Sequence, residues 1–238
     1  MAYPTLKQAQ REIRSLADSK KTVFFQKFFR TAPGEYAEGD LFLGLSVPQV
    51  RSVALKFREL PIPAAFQLLH SKWHEERLLA LIILVERYRK CDEKIKKQIA
   101  SLYLKNRKFV NNWDLVDASA PQILGASLEK SSRALLFRLA NSKSLWDRRI
   151  AIVSTFHFIR KNDLKDTFKL SQILLKDQED LIHKACGWML REAGKKDLGM
   201  LRRFLDQHAH HMPRTMLRYS IEKLGTKERL YYMRRKKN

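Results

Sequence analysis

Apolar residues recur at three- and four-residue steps along almost the whole chain, the spacing that lines one face of a helix. A helix is predicted over residues 5 to 30, with Leu6, Ile13, Leu16, Val23, Phe24, Phe25, Phe28 and Phe29 as its apolar positions. The stretch TAPGEYAEGDLFLGLS breaks this pattern with Pro33, Gly34, Gly39 and Gly44, and reads as the longest connection. Ser46 then suits an N-cap, and Pro48 is tolerated in the first turn that follows. Beyond it, helix and short connection alternate to the end, punctuated by Pro61, Pro63, Pro121, Gly125, Gly194 and Gly225. Strand signals are scarce, so an all-α fold is predicted.

The pattern also repeats. Glu76-Arg77-Leu78-Leu79, Asp147-Arg148-Arg149-Ile150, His183-Lys184-Ala185-Cys186 and Pro213-Arg214-Thr215-Met216 each set basic residues beside the start of an amphipathic helix. Counted from Arg77, Arg149, Lys184 and Arg214, the steps are 72, 35 and 30 residues, with Trp113 to Asp117 midway through the first. Paired helices at such a period predict a HEAT-like solenoid, a single domain over residues 1–238. An antiparallel bundle also gives apolar helices at this spacing. The recurring basic helix start favours the solenoid, whose equivalent positions would form a concave basic groove.

Charge narrows the partner. Lysine plus arginine is 47 and aspartate plus glutamate is 25, so the net charge is 47 − 25 = +22. So large an excess attracts polyanions, nucleic acid foremost. No helix combines a wide aromatic face with a wholly basic polar face, which weakens a membrane-surface alternative. No apolar run approaches a membrane span, and the N-terminus lacks the apolar core of a signal peptide. A cytoplasmic monomer is expected. Cys91 and Cys186 sit in apolar helical patterns, where a buried thiol is the default. The segment 234–238 reads as a solvated basic tail.

Candidate chemistry is sparse. There is no phosphate-binding GxxxxGK[ST], no HExxH and no zinc spacing of cysteine and histidine, so neither metal nor cofactor is expected. His208, His210 and His211 cluster near a helix end, where helix-end or phosphate contacts are favoured over a metal. Trp113 and Asp117 are four apart and share a helix face. Such a pair is ordinarily structural. Its place in the basic series, after the polar Asn111 and Asn112, raises a catalytic role. Asp114 is the alternative carboxylate, expected to serve the helix start. Arg148 and Arg149 cannot share a face, so one is expected in the groove. Gly187 before Trp188 implies close approach of a ligand or of another helix, and Trp188 is a candidate groove aromatic with core packing the alternative.

These segments together resemble the AlkD-like DNA alkylation repair proteins, HEAT-like-repeat DNA glycosylases. The resemblance runs through Gly39 to Pro48, His74 to Leu81, Trp113 to Asp117, Trp146 to Ala151, and Gly187 to Glu192. It implies excision of positively charged N3- or N7-alkylated purines, such as 3-methyladenine and 7-methylguanine, from duplex DNA without a cofactor. Carried over by position, it makes Asp117 the catalytic carboxylate, Trp113 and Trp188 the residues flanking the sugar, and Arg149 a groove cation. Arg148, Arg77, Lys184, Arg191 and Arg214 complete the expected DNA contacts. The family's implied mechanism leaves the lesion stacked. Two other classes fit the same charge and fold: a non-catalytic nucleic-acid scaffold for damaged or branched DNA, and a solenoid for an acidic protein partner.

Overall fold

A computed structural model describes residues 3–235. Among these residues the only extended pairing is an isolated bridge between Leu41 and Trp73; the regular structure is helical. The chain divides into two compact units, Met1–Leu124 and Gly125–Asn238. The first carries α1 (Leu6–Ser15), α2 (Ser19–Phe28), α3 (Val47–Lys56), α4 (Ile62–Leu69), α5 (His74–Lys90), α6 (Glu93–Asn106) and α7 (Trp113–Ser119). The second carries α8 (Ala134–Ala140), α9 (Leu145–Ser154), α10 (Phe156–Arg160), α11 (Lys165–Ile173), α12 (Asp180–Gly194), α13 (Leu198–His208), α14 (Arg214–Ser220) and α15 (Thr226–Arg234).

The predicted N-terminal helix is in fact two. Asp18 ends the run because its carboxylate accepts the amides of Lys20 and Lys21 at 3.1 and 3.2 Å, a new N-cap. Its own amide donates to the Leu43 carbonyl at 2.8 Å, drawing the break onto the long connection. The phenylalanines of α2 divide as a result. Phe29 is buried on Phe42, with stacked rings 4.9 Å apart, while Val23, Phe24 and Phe28 face outward.

The connection before α3 is held by one carboxylate. The amides of Leu43, Gly44 and Leu45 donate to Glu75 at 2.8, 2.8 and 3.1 Å. Glu75 is buried, so these three donors replace its water. Gly44 is required here: its φ is +86°, and a Cβ would stand 2.2 Å from the Asp18 carbonyl oxygen. Ser46 caps α3 as predicted, with its amide donating to Gln49 at 2.9 Å and Pro48 in the first turn.

In the second unit the helices that begin on the repeated motif stack on one another, and in the first α5 stacks between two neighbours. In the first unit α5 packs on α3 and α7, with α4 and α6 behind. In the second, α9 packs on α12 and α12 on α14, with α8, α11 and α13 behind. This layering is the HEAT-like arrangement that the repeat predicted.

The physical basis of the repeat differs from the expectation. Arg77 reaches back to the carbonyls of Ser71 and Lys72 at 3.1 and 3.4 Å. Arg148 does the same to Ser142 and Lys143 at 3.0 and 2.9 Å. His183 Nε2 lies 2.6 Å from the Asp177 carbonyl oxygen, again six residues back. Equivalent positions are therefore Arg77, Arg148 and His183, with steps of 71 and 35 residues. The register counted through Arg149 is corrected by one residue. Each basic side chain fastens a helix to the connection that precedes it.

Gly187 marks close helix packing. A Cβ there would meet Tyr219 Cβ at 2.4 Å and the Met216 carbonyl oxygen at 2.6 Å, both on α14. Of the predicted basic tail, Arg234 closes α15 and Arg235 donates to the Asp206 carbonyl at 2.9 Å; residues 236–238 lie outside the described residues. No helix among the described residues is long and apolar enough to cross a membrane.

Candidate active site

Helix α7 opens on Trp113 because Asn112 caps it, accepting the Trp113 amide on Oδ1 at 2.8 Å. Asn112 is fully buried, and its Nδ2 donates to Asp40 at 3.4 Å. The polar pair before Trp113 thus includes a buried cap. Trp113 is half-buried, its indole stacked on Phe29 at 5.4 Å and edge-on to Phe28 at 6.1 Å. One turn later Asp117 is also half-buried.

Trp113, Asp114 and Asp117 line one wall of a cleft of about 560 Å³ between α3, α5 and α7. Its floor includes Ala54, Leu78, Ile82 and Ala118. Arg51, Arg58, Arg89 and Lys90 bring positive charge to the same cleft, and Glu86 on its lining pairs with Arg89 at 2.7 Å. A carboxylate beside an indole, under a basic rim, suits stabilisation of a cation on a substrate whose phosphates are held nearby.

Asp114 has the helix-start place expected of it and a partner the sequence did not announce. His74 Nε2 lies 2.8 Å from Asp114 Oδ2, and its Nδ1 lies 3.6 Å from Asp40 Oδ2. Its ring is stacked on Phe42 at 4.6 Å and tilted against Phe29 at 5.0 Å. Burial disfavours its charge, yet Asp114 and Asp40 outweigh burial and neighbouring Arg77, pushing the imidazole up to about 9. His74 is a buried cation at neutral pH that ties the long connection to the first turn of α7. Asp40 is held below its ordinary range: burial opposes this, but His74 and Arg77 prevail.

In the second unit Trp188 is half-buried on α12, with its ring 5.5 Å from Phe156. The neighbouring Gly187 is explained by α14, the helix-packing alternative. Among the described residues no group of three or more histidine, cysteine or acidic side chains is placed to hold a metal ion. His210 Nε2 and His211 Nδ1 lie 3.0 Å apart, beside the end of α13.

A family model described as DNA alkylation repair enzyme matches residues 9–224. The chain belongs to this family. A solved structure, a predicted DNA alkylation repair enzyme from Enterococcus faecalis, superposes with a TM-score of 0.67 at 14% identity, covering 88% of this chain and 97% of that one. No curated protein matches it. At that identity the likeness to the Enterococcus faecalis protein establishes the fold.

Membership in the DNA alkylation repair family implies a DNA substrate, which makes the placement of the cations informative. Three of the expected DNA contacts have their guanidinium groups bonded within the protein. Arg77 is buried, with its Nη2 2.8 Å from Asp40. Arg148 grips Asp177 at 2.6 and 3.3 Å. Arg149 is only 4% exposed, and donates to the Leu181 carbonyl in the first turn of α12 at 2.6 Å. Such geometry turns these guanidinium groups toward the protein. Of the others, half-buried Lys184 pairs with Asp180 at 2.8 Å, Arg191 pairs with Glu222, and Arg214 donates to the Met233 carbonyl at 2.8 Å.

Arg51 and Arg89 were missed because neither stands at a repeated helix start. A helical projection of α3 and α5 against the Trp113–Asp117 face offered the only signal. Arg77→Ala and Arg148→Ala are each expected to lower stability by about 3–5 kcal/mol, since each removes the cation of a buried ion pair and its bonds to the preceding connection. Chemical denaturation measures this. A fall in DNA affinity at unchanged stability would contradict the structural assignment.

Proposed function

We propose that the chain is a monofunctional DNA glycosylase that hydrolyses the N-glycosidic bond of positively charged N3- or N7-alkylated purines in duplex DNA. The observation that carries this reading is the joint placement of Trp113 and Asp117 on one wall of a cationic cleft. Alkylation at purine N3 or N7 makes the base cationic. When the C1′–N bond breaks, the base takes the electron pair and leaves neutral, and the sugar becomes oxocarbenium-like. Ionised Asp117 stabilises that sugar and can accept a proton from the water that adds to C1′. The Trp113 indole offers its negative face to the same cation, backed by Phe29.

Arg51, Arg58, Arg89 and Lys90 are the proposed phosphate contacts of the first unit, and Lys184 and Arg214 those of the second. The family resemblance also counts Trp188 among the residues of this reaction, and Trp188→Ala tests it separately.

The deciding experiment is release of 7-methylguanine or 3-methyladenine from methylated duplex DNA by the purified full chain, followed by chromatography of free base. Release with strands left intact is the expected result. Tight duplex binding with no base released would replace the enzyme by a non-catalytic binding scaffold.

A further inference from the structure

Helix α10 is five residues long, and its faces are committed in different ways. Thr155 separates it from α9, with its hydroxyl donating to the Ile152 carbonyl at 2.6 Å. It stops at Arg160, since Asn162 two residues on takes a left-handed φ of 61°. Phe158 and Ile159 are buried in the second unit. His157 and Lys161, four apart, share the carboxylate of Glu129. Phe156 and Arg160 are the remaining pair, also four apart, and the Arg160 guanidinium lies over the Phe156 ring, 4.3 Å from its centroid.

Other arginines of the second unit are taken up by acidic partners. Arg133 is held by Asp163 and Asp166, and Arg191 by Glu222. Arg160 is exposed, and among the described residues no carboxylate or carbonyl engages it. Stacking occupies one face of its guanidinium and leaves the in-plane N–H groups uncommitted. A flat cation in that state suits a phosphate, which it can grip through two parallel, charge-assisted hydrogen bonds.

Its position selects the phosphate. Phe156 also meets Trp188, with ring centroids 5.5 Å apart and planes at 48°. Trp188 is the indole that the family resemblance sets against the sugar of the damaged nucleotide. Guanidinium, phenyl ring and indole thus form one series within the second unit. A sugar in a DNA strand carries a phosphate on either side, so a cation one ring away from that indole is placed for the backbone.

We propose that Arg160 grips a backbone phosphate flanking the damaged nucleotide, and that Phe156 is the positioning residue that holds the guanidinium flat for it. The grip is applied from outside the duplex and leaves every base in the stack. It rests on the proposed DNA reading, with Trp188 at the sugar, but it requires no base release and is tested apart from it.

The test uses the full chain and duplexes that hold a tetrahydrofuran abasic analogue, with the nearest phosphates replaced, one at a time, by neutral methylphosphonates. Wild-type protein is expected to lose roughly 5- to 30-fold in affinity at one of these positions, the range of a charge-assisted contact at an exposed site. Arg160→Ala is expected to lose as much on the all-phosphate duplex and to be indifferent to the methylphosphonate at that position. Its slope of log affinity against log salt should be shallower by about 0.9, the share of one phosphate. Arg160→Lys keeps the charge without the flat fork, and Phe156→Leu removes the ring; both should fall between, while Phe156→Tyr should match wild type. Arg160 is exposed, so thermal unfolding of its variants should not move. An Arg160→Ala protein that binds as wild type does would overturn the grip. So would one that binds weakly yet loses the same factor as wild type at every methylphosphonate, since its guanidinium would then act elsewhere. A chain that shows the coupling but releases no methylated base would retain the grip and sink the glycosylase; one that releases base without the coupling would do the reverse.

Discussion

Asp117→Asn is expected to slow release of 7-methylguanine from methylated duplex DNA by about 10²- to 10⁴-fold. The substitution keeps the shape of the side chain and removes its charge. What is lost is attraction for a sugar that becomes cationic only as the C1′–N bond breaks. The effect should fall on kcat, while KM and duplex affinity stay within a few-fold of wild type or tighten, since a negative charge has left a basic cleft. Thermal unfolding checks that α7 is intact. An Asn variant as active as wild type would remove Asp117 from the mechanism. Asp114 is the natural control carboxylate, because its bond to His74 gives it structural work: Asp114→Asn should reduce stability together with activity.

The second large effect concerns pH and follows from His74. Its folded value, about 9, exceeds the ordinary value of 6.5, so its contribution is fully present below pH 6.5 and is lost as pH rises through 9. A difference of this size corresponds to a contribution of about 3 kcal/mol. Urea midpoints of the wild-type chain should therefore fall between pH 6.5 and 9.5. His74→Gln should be less stable at pH 6 and flatter across that window. The difference between the two proteins isolates His74 from Cys186, whose burial raises its thiol and adds a loss of stability at alkaline pH in both. Parallel wild-type and variant curves would mean that the imidazole is not a buried cation. In the acid direction Asp40 acts oppositely: its depressed value makes its contribution present above the ordinary carboxylate range and lost as pH falls.

Much of this was legible in the chain, for identifiable reasons. The helical class followed from spacing, and the N-cap at Ser46 from residue type, because both are local. The Trp113–Asp117 face was legible too, since a four-residue step places side chains together whatever surrounds them. The break at Asp18 carried a signal, an aspartate followed by serine, that lost to the run of apolar residues on either side. The basic helix starts were seen, but the inward bonds of Arg77 and Arg148 were not. Arg77 and a groove arginine look alike in sequence; only the carbonyls of Ser71 and Lys72, five and six residues back, distinguish them. His74 lay beyond reach for another reason. Its role depends on Asp40 and Asp114, 34 and 40 residues away, and no spacing rule joins them.

The back-reaching side chains also bear on how the molecule comes apart. Connections between helices ordinarily open on their own, well before the helices they join. Here the backbone of Ser71 and Lys72 is bonded to the side chain of Arg77, and that of Ser142 and Lys143 to Arg148. Neither connection can open without releasing a guanidinium rooted in the next helix. Connection and helix are therefore expected to open together, as one element.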